Sequence, residues 1–141
     1  MKASKRVKVF FDASVILAGL RSVNGASGHL LKRCRERKIA GIISETVMDE
    51  ILRNIDKIGV NKNTAINLVT ESFIIQSAPN ESKFGRYKRF VMDEGDIHLF
   101  VSAEQAKVDF LVSLDKKHVL ILKEKVKKFT IVSPKELIEK L

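Results

Sequence analysis

Two short apolar segments of this chain each run directly into an aspartate. Residues 7–11 precede Asp12, and residues 110–114 precede Asp115. Such segments are typical of buried strands in a parallel α/β sheet, where the side chains that follow the strands meet in a crevice at the carboxyl edge. A carboxylate at the edge of a dry sheet is costly unless a cation or hydrogen bonds compensate its charge. The two segments therefore predict a parallel sheet with a paired acidic site.

Two further acids are predicted to join this site from helices. Asp96 opens a predicted helix and shares its face with apolar residues four and seven positions later. On the predicted helix 44–58, Asp49 and Glu50 flank opposite edges of the apolar stripe, so periodicity does not choose between them. A cluster of four carboxylates is a ligand set suited to Mg²⁺ or Mn²⁺.

Strand-like and helix-like segments alternate along the chain. The predicted strands span residues 7–11, 39–43, 73–76, 110–114 and 129–132. The predicted helices span residues 27–38, 44–58, 61–72, 96–107 and 134–141, with a short piece after Lys116. Loops are predicted at residues 21–28 and 79–85. The alternation predicts a three-layer α/β/α sandwich around a parallel sheet of four to five strands, in a single domain over residues 1–141.

Each strand-end aspartate also has a purely structural interpretation. Asp12 precedes a turn and Asp115 precedes a predicted helix, and an aspartate at such a position commonly caps the first turn. Ser14 and Ser113 lie two positions from these acids, so their hydroxyls could orient the carboxylates or a metal-bound water. The residues alone leave both capping and metal binding open.

The chain carries an excess of basic residues. It has 26 Lys and Arg against 17 Asp and Glu, for a formal net charge of +9. Basic clusters occur at residues 32–38, at residues 83–89 around Tyr87, and at residues 116–128. Such patches attract phosphate backbones through counterion release, which favours a nucleic acid partner. The alternative is that the lysines serve solubility or heat stability.

Several other classes of protein are disfavoured. No segment approaches the roughly 20 apolar residues of a membrane span, and the start lacks a signal-peptide pattern, so no membrane association and a cytoplasmic location are expected. Cys34 is the only cysteine, which precludes an intramolecular disulfide and indicates a small buried side chain. His29, His98 and His118 lack zinc-ligand spacing and are interpreted as surface or cap residues. Neither a phosphate-binding glycine loop nor a nucleophilic serine motif occurs.

Four segments, in this order, resemble the PIN domain family of metal-dependent nucleases, which includes many bacterial and archaeal toxins. The matching segments are residues 9–20 (VFFDASVILAGL), 43–52 (ISETVMDEIL), 96–103 (DIHLFVSA) and 110–118 (FLVSLDKKH). The resemblance covers nearly the whole chain and prefers Glu50 to its acidic neighbour. The acids that it implies for the site are Asp12, Glu50, Asp96 and Asp115.

The resemblance implies a metal-dependent ribonuclease. A metal-activated water would hydrolyse phosphodiester bonds of single-stranded or loop RNA, with Mg²⁺ or Mn²⁺ held by the acids. A homodimer and a small antitoxin partner are compatible with the resemblance, with this chain as the toxin. Lys117 stands where many members carry another acid, which predicts a weaker second metal position or one tightly bound ion. The basic residues predicted to contact RNA are Arg21, Arg86, Lys88 and Arg89.

Two other functions compete with this hypothesis. On the same fold the chain could be a non-catalytic RNA-binding module, with Lys117 as a sign of lost chemistry. That alternative predicts salt-sensitive RNA binding without metal-dependent cleavage. A phosphatase of the haloacid dehalogenase type also begins with a strand-end aspartate, but it needs a second aspartate two residues later, where Ser14 stands.

Overall fold

Five parallel strands form the centre of the molecule in a computed structural model that describes residues 5–91 and 93–141. The strands are β1 (Lys8–Phe11), β2 (Ala40–Ser44), β3 (Phe73–Gln76), β4 (Phe110–Val112) and β5 (Thr130–Val132). They lie in the order β3-β2-β1-β4-β5, and each neighbouring pair is parallel. The predicted α/β fold with a central parallel sheet is confirmed, whereas a single domain over residues 1–141 stays a prediction.

Helices connect the strands and cover the sheet. The α-helices are α1 (Ala13–Arg21), α2 (Ala26–Arg35), α3 (Glu45–Asn54), α4 (Lys62–Ser72), α5 (Ile97–Gln105) and α6 (Pro134–Lys140). Short 3₁₀ segments occur at Ile55–Ile58, Glu81–Arg86, Glu94–Asp96 and Leu120–Leu122. None of the helices in the described part of the chain has both the length and the apolarity that a membrane crossing needs.

Three local predictions differ from the structure. α1 is missing from the predicted helices because it is a mostly apolar run of nine residues that directly follows β1, shorter than the roughly 10 to 12 residues by which a helix is told from a buried strand. The helix predicted after Lys116 is only the 3₁₀ turn Leu120–Leu122, and the loop predicted at residues 79–85 contains the 3₁₀ segment Glu81–Arg86. Short 3₁₀ turns carry little periodic signal, so sequence pattern does not separate them from loops or helices.

The strand order creates a crevice between β1 and β4. β2 and β3 lie on one side of β1, whereas β4 and β5 lie on the other. Right-handed crossovers therefore leave in opposite directions, which places α5 on the face of the sheet opposite α1. This reversal opens a crevice at the carboxyl ends of β1 and β4, the usual place for ligands in open α/β sheets. Asp12 and Ser113 directly follow these two strands.

The core beside this crevice is dry. Val9, Phe10 and Phe11 of β1 have no exposed surface, and residues 99–103 of α5 are buried almost as completely. Cys34 is fully buried, as predicted, and burial raises the pKa of its thiol to about 12. The thiol is therefore protonated at neutral pH and serves as a packing residue rather than a nucleophile.

Candidate metal centre

Asp12 stands at the end of β1, directly beside the end of β4. Its backbone N–H donates to the carbonyl of Val112 at 3.0 Å, and its Oδ2 accepts from Ser113 Oγ at 2.7 Å and Ser14 Oγ at 3.2 Å. Asp12 is only 7% exposed, and this burial raises the pKa of its carboxyl. The two serine bonds oppose the rise, while the charge of Asp115 adds to it. The folded protein thus disfavours the charge of Asp12 unless a cation compensates it.

Asp115 both caps a turn and faces the crevice. Its Oδ1 accepts from the backbone N–H groups of Lys117 at 3.1 Å and His118 at 3.0 Å. Its own N–H donates to Ser113 Oγ at 3.0 Å, and the same hydroxyl donates to Asp12. Ser113 therefore links the two strand-end acids. Capping engages Oδ1 of Asp115 and leaves Oδ2 facing His118. Asp115 can therefore cap the turn and bind a metal ion at the same time.

Asp96 joins the cluster from the start of α5. One ligand atom each of Asp96, Asp115 and His118 lies within 4.8 Å of the others. Burial raises the pKa of Asp96 to about 6, and the charges of Asp93, Asp115 and Asp12 add to the rise. The structure thus brings acids from three separate elements within electrostatic reach of one another.

His118 is the residue of this cluster that the sequence-based predictions miss. Its Nδ1 lies 3.2 Å from Asp115 Oδ2, and the ring is partly exposed. The one available signal is the spacing of three residues after Asp115, which places two side chains on the same side of a helical turn. Its approach to Asp96 depends on tertiary packing between segments about 20 residues apart in the sequence, which periodicity does not report.

Glu50 is the acid that α3 directs toward the site. Its side chain is half-buried, and burial raises the pKa of its carboxyl. The charges of Asp12 and Asp96 raise that pKa further, while Arg53 opposes the shift. The neighbouring Asp49 is exposed. The structure therefore favours Glu50 where the helical pattern leaves both acids open.

The assembled side chains suit a divalent cation. They offer carboxylate oxygens, which bind Mg²⁺ and Mn²⁺, and one imidazole nitrogen, which binds transition metals. Within residues 5–91 and 93–141, none of the salt bridges joins a Lys or Arg to these acids. As a general guide, two unit charges 4 Å apart repel by about 4 kcal/mol at an effective dielectric constant near 20, so a bound cation would stabilise a cluster of ionised acids. The acids of this cluster are Asp12, Glu50, Asp96 and Asp115.

Two of the four basic residues predicted to contact RNA lie away from the cluster. Arg21 is the ninth and last residue of α1, nine positions after Asp12 and about 13.5 Å away along the helix. Arg86 is bonded to Glu104, about 12 Å along α5 from Asp96. Both helices start at the crevice and run away from it, so an RNA contact by Arg21 or Arg86 would lie away from the acids, and it stays a prediction. The remaining two predicted residues, Lys88 and Arg89, are exposed.

Tyr87 anchors the basic segment of residues 83–89 to the core. Its ring is 4% exposed and stacks on Phe100 with centroids 5.6 Å apart. Its hydroxyl donates to Glu104 Oε1 at 2.7 Å, while Arg86 Nη1 donates to Oε2 of the same carboxylate at 2.6 Å. The tyrosine ring is therefore not available to stack on bases. In the segment of residues 83–89, the aromatic residue among the basic ones therefore has a structural role rather than a role in binding nucleic acid.

Tyr87→Phe is expected to lower the free energy of unfolding by about 1 kcal/mol, because the substitution removes a partly buried hydrogen bond to a charged carboxylate. The thermal midpoint should fall by about 3 °C, and RNA affinity should not change. Thermal denaturation and an RNA gel-shift assay measure the two quantities. The control is Lys88→Ala, which removes an exposed neighbouring side chain and should leave the midpoint unchanged. Weaker RNA binding by the Tyr87→Phe protein would contradict the anchoring role.

Comparisons with known proteins agree with this architecture. Residues 8–117 match the sequence model of the PIN domain. The solved structure of VapBC2 from Rickettsia felis, bound to a DNA fragment from its promoter, matches with a TM-score of 0.66 and 11% identity, over 90% of this chain and 98% of that chain. PAE2754 from Pyrobaculum aerophilum matches with a TM-score of 0.63 and 20% identity, over 95% and 88% of the two chains.

A third solved structure is that of a described toxin. VapC20 from Mycobacterium tuberculosis, a toxin that cleaves the sarcin-ricin loop, matches with a TM-score of 0.53 and 12% identity, over 77% of this chain and 91% of that chain. No curated protein matches this chain at a significant level. At these identities the structural matches show a shared fold.

Proposed function

This chain belongs to the PIN domain family, and we propose on that basis that it is a metal-dependent ribonuclease. The observation that carries the proposal is the convergence of four acids from separate elements on one crevice. Each of the three acids with a raised pKa is affected by the charge of at least one other member of the set. Such a concentration of carboxylates fits the binding of a divalent cation better than a structural role. The set is Asp12, Glu50, Asp96 and Asp115.

The residues of the site have separate tasks in the proposed hydrolysis. Asp12, Asp96 and Asp115 would hold Mg²⁺ or Mn²⁺, and Glu50 would hold the ion or orient the attacking water. The hydroxyl groups of Ser113 and of Ser14 on α1 donate hydrogen bonds to Asp12 and so fix the orientation of its carboxylate. When bound, the cation would activate a water molecule and neutralise charge on the phosphate.

Electrostatics make the cation essential to this proposal. Without it, ionised carboxylates would repel a phosphate that enters the crevice, at several kcal/mol for close pairs. The exposed residues Lys116 and Lys117 follow Asp115 directly, and Arg53 lies close enough to Glu50 to affect its pKa. These three cations lie beside two acids of the crevice and would attract an RNA backbone toward it. We propose them as substrate contacts nearer to the acids than the predicted contacts Arg21 and Arg86.

We propose further that the chain is the toxin of a toxin–antitoxin pair. A groove with a cavity volume of about 470 Å³ lies between α1, α2 and α4, and Lys32 and Arg35 lie among its mainly apolar walls. This surface would suit an apolar segment of a partner that also carries acidic residues. Its apolar lining includes Leu20, Val23, Leu31, Val60, Ala65 and Leu68. The predicted homodimer stays a prediction.

A cleavage assay tests the proposed reaction. RNA that contains a single-stranded loop is incubated with the protein in Mn²⁺, in Mg²⁺ or in EDTA. The cation is expected to raise the cleavage rate at least about 100-fold over EDTA, because the uncompensated acids repel the phosphate. A phosphate monoester serves as the substrate control and should not be hydrolysed. RNA binding without cleavage in every metal would instead support the non-catalytic module.

A further inference from the structure

The backbone around His118 is held in a fixed turn. Asp115 Oδ1 accepts the N–H of His118 at 3.0 Å, and the carbonyl of Asp115 accepts from Val119 and Leu120 at 3.1 and 2.9 Å. Val119 is fully buried, so it ties the turn to the core. The backbone position of His118 relative to Asp115 is therefore set by the fold.

The imidazole is placed where a cation could share it with two acids. Its Nδ1 lies 3.2 Å from Asp115 Oδ2, and ligand atoms of His118, Asp115 and Asp96 lie within 4.8 Å of one another. Two donors that share one ion at about 2.1 Å each stand at most about 4.2 Å apart. A small adjustment of side chains would bring all three onto one ion. The side chains of His118 and Asp115 are 40% and 33% exposed, which leaves an entry path from solvent.

The neighbouring bonds leave the relevant oxygen of Asp115 available. Its Oδ1 is engaged by two backbone N–H groups, whereas its Oδ2 faces His118. Among the described residues, the salt bridge that reaches Asp115 comes from His118 and none comes from a Lys or Arg. The plain alternative is that His118 only pairs with Asp115 to stabilise the turn. Metal binding and pairing predict different spectroscopic results.

We propose that His118 is a metal ligand that forms a mixed nitrogen and oxygen position with Asp96 and Asp115. This inference rests on the proposed function only in assuming that these two acids hold the cation. Imidazole suits Zn²⁺, Co²⁺ and similar transition metals and also binds Mn²⁺, whereas Mg²⁺ prefers oxygen ligands alone. The site is therefore selective for transition metals over Mg²⁺, a property that a purely carboxylate centre would not give.

Pulsed electron paramagnetic resonance of the intact protein loaded with Mn²⁺ tests the ligand directly. The wild-type protein should show coupling of the Mn²⁺ electrons to an imidazole ¹⁴N nucleus, and His118→Gln should lose it. His29→Gln removes an exposed histidine on α2 and should keep the coupling. A wild-type spectrum without nitrogen coupling would overturn the inference, and this result does not depend on the folding of any variant.

Calorimetric titration with Mn²⁺, Zn²⁺ and Mg²⁺ gives the second readout. His118→Gln is expected to weaken Mn²⁺ and Zn²⁺ binding at least about tenfold and to change Mg²⁺ binding less. His118→Asp should restore an oxygen ligand and shift the preference toward Mg²⁺. Equal losses for all three ions, or none, would refute the nitrogen ligand.

The RNA assay separates this inference from the proposed function. Metal-dependent cleavage by a protein that shows no nitrogen coupling would reject His118 as a ligand and leave the ribonuclease intact. Nitrogen coupling in a protein that cleaves no RNA in any metal would support the ligand and reject the ribonuclease.

Discussion

Asp12→Asn is expected to lower the rate of metal-dependent RNA cleavage by about 10³-fold while raising the thermal midpoint of the metal-free protein by a few degrees. Loss of about 4 kcal/mol of transition-state stabilisation corresponds to the kinetic effect. The stability gain follows from burial, which raises the pKa of Asp12 and shows that the fold favours its neutral form. Asparagine keeps the shape, accepts the bonds from Ser113 and Ser14, and is an equally good residue before a helix.

Cleavage kinetics in Mn²⁺ and thermal melts in EDTA measure the two effects. The matched control is Asp49→Asn, which neutralises an exposed acid on α3 and should change neither the rate nor the midpoint. A lower cleavage rate together with a higher thermal midpoint would show that the charge of Asp12 serves activity and destabilises the metal-free fold. If the Asp12→Asn protein is less stable than the wild type, the buried charge of Asp12 does not destabilise the metal-free fold, and the stability argument fails.

The sheet was predictable because its signals are local. Each strand is a short apolar run, and the bounds of β3 are predicted without error at residues 73–76. The meeting of Asp12 with Asp115 follows from parallel strands, whose carboxyl ends share one edge, together with the adjacency of β1 and β4. α1 was not predicted because nine mostly apolar residues directly after a strand are too few to be told from a continuation of the apolar run.

The details of the site depend on packing that no local pattern contains. Asp49 and Glu50 are adjacent in sequence, and only the rotation of α3 against the sheet exposes one and half-buries the other. His118 meets Asp96 because the turn after β4 lies beside the start of α5. The distance of Arg21 from the acids depends on α1, and because that helix was not predicted, the sequence contained no sign that Arg21 lies at its far end.

Saturating Mn²⁺ is expected to raise the thermal midpoint at pH 7 by about 8 °C. An ion at 100 times its dissociation constant that binds only the folded state adds about 2.7 kcal/mol, at roughly 3 °C per kcal/mol for a chain of this size. Part of this binding free energy comes from the neutralisation of the acids in the crevice, which repel one another in the metal-free protein. Melts with Mn²⁺ and with EDTA at a fixed pH give the difference.

The same acids set the pH dependence of this effect. Burial and neighbouring charges raise the pKa of Asp96 from 3.8 to about 6, and they raise those of Asp12 and Glu50 as well. Between pH 7 and pH 5 these three acids take up protons in the folded state that they do not take up in the unfolded state, so they should make the metal-free protein more stable as the pH falls. His98, whose pKa burial lowers, opposes part of this rise in the same window. Protons and Mn²⁺ compete for the same carboxylates, so the increment from Mn²⁺ should be smaller at pH 5.

The range from pH 7 to pH 5 avoids an opposing effect of Glu136, an acid on α6, on the stability of the protein. Hydrogen bonds from Lys123 and Ser133 lower the pKa of Glu136 from 4.5 to about 2, so its stabilising effect is present above pH 4.5 and is lost only below it. Asp96→Asn is the diagnostic variant and should flatten the rise between pH 7 and pH 5. An increment from Mn²⁺ that is equal at both pH values, and unchanged in Asp96→Asn, would show that the ion binds outside the crevice.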